Sequence, residues 1–114
     1  KLKNTNILVL GVAYKKNVDD IRESPALEFM NILNNNNINF DYHDIFLKSL
    51  PKTRKYNFEK QSVNITKRSL KKYTVTVLIT DHDLFDYKTI EKYSKLIVDC
   101  RGRFKKIPKR IILA

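Results

Sequence analysis

Residues 6–33 are written as a strand, a turn and a helix, in that order. A unit of this kind commits the chain to a sheet with helices packed on it. The run 7–10 is Ile-Leu-Val-Leu. Its apolarity is continuous rather than alternating, which predicts a strand over residues 6–12 buried on both faces. A polar loop follows and holds Tyr14, Lys15, Lys16 and Arg22. Ser24 has the chemistry of a helix N-cap and Pro25 that of a first helical residue. Ala26, Phe29, Met30 and Leu33 recur at helical spacing, so this helix turns an apolar face to the sheet. The asparagine run 34–37 ends it, because asparagine tolerates left-handed backbone and breaks helices.

The rest of the chain repeats this grammar. Residues 38–43 predict a second strand with Asp44 at its end, and residues 45–61 are irregular and polar. Thr66 caps a short helix through residue 73. Residues 74–80 form a buried strand and 81–86 a loop, with Asp86 capping a helix over 87–93. Strands at 95–99 and 111–113 complete the pattern. Alternation of this kind predicts an α/β fold. The expected form is a Rossmann-like three-layer sandwich with a mostly parallel sheet of five or six strands. The 114 residues, 42% of them hydrophobic, suit one domain over residues 1–114.

Several classes recede on composition. No apolar run approaches the roughly 20 residues that span a membrane. No secretory leader pattern opens the chain. The single cysteine, Cys100, rules out an internal disulfide and fits a reducing compartment, so a cytoplasmic location is expected. The first residue is lysine, not methionine, which suggests a piece of a larger protein. The net charge of +11 favours anionic partners, either nucleic acid or phosphorylated small molecules.

Three cations, an aromatic ring and a helix N-terminus at the end of the first strand suggest a site for a phosphorylated ligand. A dinucleotide turn proper needs G-x-G-x-x-G, and here Val12, Ala13 and Tyr14 follow Gly11. Asp44 mimics a ribose-binding acid only weakly without those glycines. Asp19 and Asp20 lie too deep in the loop for a phospho-acceptor cluster and are expected to pair with Lys15, Lys16 or Arg22. Two isolated histidines make no zinc pattern. His43 is expected to pack at the end of the second strand. His82 is read as a loop histidine near the ligand mouth, bonded to neighbouring backbone. Cys100 lacks a paired base and reads as structural. The basic stretch 52–55, with Tyr56 and Phe58 nearby, could serve an RNA-binding patch, be an insertion near a substrate or subunit interface, or be a solvated loop. Residues 104–110 read as a surface turn.

The loop resembles the start of the C-terminal, UDP-binding domain of the UDP-glucose/GDP-mannose dehydrogenase family. That family carries a strand followed by G-[VLF]-[AS]-[FY]-K-x-[ND]-x-x-D-x-R-x-S-P. Gly11, Ala13, Tyr14, Lys15, Asp20, Arg22, Ser24 and Pro25 match it. The stretches 50–56, 80–83 (Thr-Asp-His-Asp) and 98–101 (Val-Asp-Cys-Arg) agree in order and look like the branch oxidising UDP-N-acetyl-hexosamines.

The resemblance implies a full enzyme that oxidises C6 of a nucleotide sugar to a carboxylate with two NAD. NAD would be bound mainly by an N-terminal domain outside this chain. A central region would supply the catalytic cysteine and lysine and build a homodimer. For this chain it implies UDP-sugar contacts by Tyr14, Lys15 and Arg101, and contact of Arg22 with the NAD of the first domain. It implies no catalytic residue and no metal ligand here, and makes Cys100 distinct from the family's nucleophile. The partners are then a UDP-sugar and the enzyme's other domains, without nucleic acid or membrane. The alternatives are a UDP-glucose 6-dehydrogenase domain and a free-standing basic α/β module that binds RNA.

Overall fold

The computed structural model describes residues 4–22, 24–53, 56–104 and 110–114. Five strands form one sheet: β1 (Asn6–Leu10), β2 (Asn39–His43), β3 (Val75–Leu78), β4 (Ile97–Asp99) and β5 (Ile111–Leu113). The order is β2-β1-β3-β4-β5 and every pairing is parallel. Parallel strands need crossovers, and helices supply three of them: α1 (Pro25–Asn35), α2 (Lys67–Lys71) and α3 (Tyr87–Tyr93).

Alternate side chains of β1 divide the core into two layers. Val9 packs with Ala26, Leu27, Met30 and Leu33 of α1 and with Phe40 and Tyr42 of β2. Leu8 and Leu10 pack on the other face with Leu70, Ile90, Leu78 and Ile97. Burial on both faces is what the continuous apolar run demands. Each fully buried leucine or methionine contributes roughly 1.5–3 kcal/mol. This is the three-layer α/β sandwich expected from the sequence, with five strands.

Local signals set the element ends. Ser24 has extended backbone and its Oγ accepts from the Ala26 amide, with Pro25 as the first helical residue. Asn37 takes φ 58° just past α1, the left-handed state asparagine tolerates. Thr66 and Ser69 form a reciprocal capping box on α2. Asp86 caps α3, accepting from the amide of Thr89. β1 stops at Leu10, two residues short of expectation, because Gly11 turns to φ 83°. The described residues of 45–61 form no strand, and their isolated bridge is Ser49–Gln61. Phe104, expected in a surface turn, is instead buried among Leu70, Phe85 and Ile111. The rest of that expected turn, 105–109, lies outside the described residues.

Strand order reverses between β1 and β3. Chains leaving their carboxyl ends diverge to opposite sides, so the crevice above this pair is where doubly wound sheets place ligands.

Candidate functional site

The loop after β1 is fastened to its neighbours before it reaches the cations. A Cβ on Gly11 would lie 2.1 Å from the Thr80 carbonyl oxygen. Glycine is thus required where β1 and β3 loops cross, not for approach to a phosphate. Thr80 Oγ1 closes the crossing by donating to the Ala13 carbonyl at 2.7 Å. Ser24 Oγ donates to the Val12 carbonyl at 2.6 Å, tying α1 to the same turn.

The two amides that a dinucleotide turn would aim at a pyrophosphate already have an anion. Val12 and Ala13 donate to Asp44 Oδ2 at 2.8 and 3.3 Å. Phe46 donates its amide to Oδ1 at 2.9 Å, and His82 Nε2 stands 3.0 Å from Oδ2. Asp44 and His82 are both buried. Burial alone pushes the Asp44 carboxyl up, but the bonds from His82, Val12 and Phe46 outweigh it and hold it below the usual range. Asp44 is therefore a fastener turned inward, not a ribose acid, and this turn does not fit NAD. At the N-terminus of α1, Ser24 Oγ likewise takes up the Ala26 amide.

His82 is not at the mouth. Its Nδ1 accepts the Asn17 amide at 2.7 Å, which leaves the ring hydrogen on Nε2 for Asp44. It bonds backbone, as expected, but from a loop 65 residues away. His43 packs at the end of β2, against Phe85, with Nδ1 2.7 Å from the Val63 carbonyl. Burial pushes its pKa down.

What this fastened scaffold leaves exposed is the set of residues the sequence singled out. Tyr14, Lys15 and Lys16 project from the β1 loop, and Tyr14 is 53% exposed. Arg22 lies on the same loop, 88% exposed at its side chain. Its guanidinium grips Asp20 through Nε to Oδ1 at 3.0 Å and Nη2 to Oδ2 at 2.8 Å. That side-chain bond pushes the Asp20 carboxyl down to about 2. Of the pairings expected for Asp19 and Asp20, the Asp20–Arg22 one forms.

Arg101 comes from the loop after β4, two strands from β1, or about 10 Å at ordinary strand spacing. Asp99 builds that loop. Its Oδ1 accepts the Arg101 and Gly102 amides, both at 2.9 Å, and Oδ2 the Phe104 amide at 3.0 Å. Arg101 is held loosely: Nε is 3.4 Å from Asp81 Oδ1, an atom that has no hydrogen bond. Arg103, by contrast, is a strut. It donates to Asp83 at 2.9 Å, contacts Asp81, and lies 4.6 Å over the Tyr87 ring. Arg101 is thus the cation freer to meet an anion. Neither Arg103 nor Asn17 was singled out from the sequence. The Asn/Asp slot in the loop pattern was the available signal for Asn17, whose φ of 65° suits that residue type.

Cys100 sits exposed beside Arg101. Burial and the Asp99 carboxylate push its pKa up, opposite to what a thiolate nucleophile needs. Tyr56 stacks on Phe58, which meets Phe40 edge-on, and both pack on the α1 side of the core. These rings are therefore not free platforms for RNA bases. Arg54 and Lys55 of that basic stretch lie outside the described residues. A cavity of about 460 Å³ opens elsewhere, over the end of β2 beside Lys48, Ser62 and Asn64. None of Tyr14, Lys15, Arg22 and Arg101 lines it. All four are exposed and lie outside that cavity. No helix among the described residues is long and apolar enough to cross a membrane.

Residues 8–106 match the UDP binding domain of the UDP-glucose/GDP-mannose dehydrogenase family. UDP-glucose 6-dehydrogenases of Rickettsia felis and Rickettsia prowazekii are 51% and 49% identical over 37 residues. That stretch is 32% of this chain and 8% of each relative. The solved UDP-D-ManNAc dehydrogenase of Pyrococcus horikoshii superposes with a TM-score of 0.69 at 27% identity, covering 96% of this chain and 25% of that one. The UDP-N-acetyl-mannosamine dehydrogenase of Staphylococcus aureus gives 0.68 at 24% identity over the same shares. The chain spans about a quarter of the length of these structures.

Proposed function

Because this chain belongs to the UDP-glucose/GDP-mannose dehydrogenase family as its UDP binding domain, we propose that Tyr14, Lys15 and Arg101 grip the UDP of a nucleotide sugar. The observation that carries this reading is the division of labour at the carboxyl edge of the sheet. Buried carboxylates and histidine consume the inner donors, while Tyr14, Lys15 and Arg101 are left exposed on the loops that follow β1 and β4. Lysine offers a mobile point charge and arginine two parallel donors to phosphate oxygens. The Tyr14 ring offers a face to a base or sugar.

The larger protein is then an NAD-dependent 6-dehydrogenase, cytoplasmic and homodimeric. Its other domains carry the nucleophile and most of the NAD contacts. NAD supplies the hydride acceptor when bound there. This chain's share toward it is Arg22, reaching across the cleft. Release of Arg22 from Asp20 would accompany that contact. The substrate of choice is a UDP-N-acetyl-hexosamine, which the solved relatives covering 96% of the chain support. UDP-glucose is the second reading, favoured by the Rickettsia relatives over their shorter stretch.

Titration of this chain with UDP, followed by amide chemical shifts, tests the site. Shifts should cluster on Tyr14, Lys15 and Arg101. No response at millimolar UDP would overturn the reading. In the complete enzyme, Lys15→Ala should raise KM for the UDP-sugar and leave NAD affinity nearly unchanged, while Arg22→Ala does the reverse. Equal effects on both ligands would refute this division.

A further inference from the structure

Lys15 lies in the polar, exposed part of the β1 loop, and two positions on Asn17 anchors that part to its neighbour. Asn17 makes three hydrogen bonds to the loop after β3. Its amide donates to His82 Nδ1 at 2.7 Å. Its side chain engages Asp83 twice, Nδ2 donating to Oδ2 at 2.8 Å and Oδ1 accepting the Asp83 amide at 2.9 Å. The contact continues on both sides. Through His82 it reaches Asp44 and the Val12–Ala13 turn. Through the other oxygen of Asp83 it reaches Arg103 at 2.9 Å, and Arg103 leads to Asp81 and so to Arg101. Asn17 is the only residue of the β1 loop between Tyr14 and Arg22 that the structure bonds to the β3 loop among the described residues. It holds left-handed backbone to do so, a conformation that persists where surroundings over-determine it.

We propose that Asn17 is a positioning residue for the nucleotide-sugar site. It holds the Tyr14–Lys15 loop against the loop after β3, so that Lys15 is already placed when a diphosphate arrives. The inference rests on the UDP reading above. Without Asn17 the loop would still follow β1 and still carry Lys15, but ordering Lys15 would be charged to ligand binding, and affinity falls when ordering is deferred in this way.

The test is UDP affinity of this chain and its variants by calorimetry, with thermal midpoints alongside. Asn17→Gly accepts the positive φ and keeps the amide to His82, but deletes both contacts to Asp83. Asn17→Asp also tolerates that backbone, and places a carboxylate against Asp83 Oδ2. Each should weaken UDP about five- to tenfold, on the scale of one or two lost hydrogen bonds, with the cooperative thermal transition retained. If Asn17 acts through Lys15, Asn17→Gly combined with Lys15→Ala should bind within about twofold of Lys15→Ala alone, since residues acting as a unit are not additive. A merely structural role would leave the two losses multiplicative, and that outcome overturns the inference. So does wild-type affinity in both single variants, or loss of the folding transition in both. Absence of any UDP response in the unaltered chain would instead sink the UDP reading itself, and this inference with it.

Discussion

A buried aspartate stands just past β2 and another at the end of β4; both accept main-chain hydrogen bonds, and the two do different work. Asp99 serves its own loop, taking amides two, three and five residues on. Asp44 serves one such amide, that of Phe46, and spends its other oxygen on partners 31, 32 and 38 residues distant. One carboxylate shapes a turn; the other joins the ends of β1, β2 and β3. The neighbouring glycines follow the same division. Both have positive φ, but a Cβ on Gly11 would strike the Thr80 backbone, while one on Gly102 would meet nothing within 4 Å. The β1 side is a junction, and the β4 side is a local bracket that presents an arginine.

The largest effect should come from Asp44→Ala, which strands three amides and the His82 Nε2–H in a buried setting. Loss of about 3–5 kcal/mol is expected by urea denaturation, typical of breaking a buried charged network. Asp99→Ala should cost about 2 kcal/mol, since two of its three amides belong to the exposed Arg101 and Gly102, where water can replace it. Equal losses would break the comparison.

Gly11→Ala comes next, at about 3 kcal/mol from left-handed backbone plus overpacking. Gly102→Ala should cost about 1 kcal/mol, the backbone term alone. The paired thermal midpoints would show whether the junction is really the tighter site.

The smallest effect is in pH. The Asp44 carboxyl titrates lower folded than unfolded, so its contribution is complete above about pH 4, the unfolded carboxyl value. It is lost as pH falls through the folded value. His43 is also held low, so its share begins to fall below about pH 6.5. Stability should therefore decline in two stages on acidification. Asp44→Asn should flatten the lower stage and leave the upper one in place. An unchanged lower stage would assign it to exposed carboxylates such as Asp20 and Asp83.

The same contrast explains what could be read from the sequence. Ser24-Pro25 and Asp86 announced their helices because caps act within three residues. The strands announced themselves by apolar runs. The exposure of Tyr14, Lys15 and Arg22 was legible because they share a polar loop after an apolar strand, whereas Arg101 stood out only through the resemblance of the 98–101 stretch. The fastening beneath them was not legible. Nothing local distinguishes Asp44 as an inward fastener from a ribose acid, and His82 gives no sign of bonding a loop 65 residues earlier. End effects blur too: Val12 looks like strand, and only the crossing at Thr80 shows why Gly11 must end it.

The Asp44 carboxylate also changes how this domain answers to its surroundings. A turn that holds a cofactor phosphate is steadied by mass action, more so as the cofactor becomes abundant. Here the anion is tethered to the chain, present at fixed effective concentration in every molecule. The fold above β1 is therefore complete without NAD, and the melting point of this chain by itself should be indifferent to that cofactor. Such a domain is fully formed before any ligand arrives.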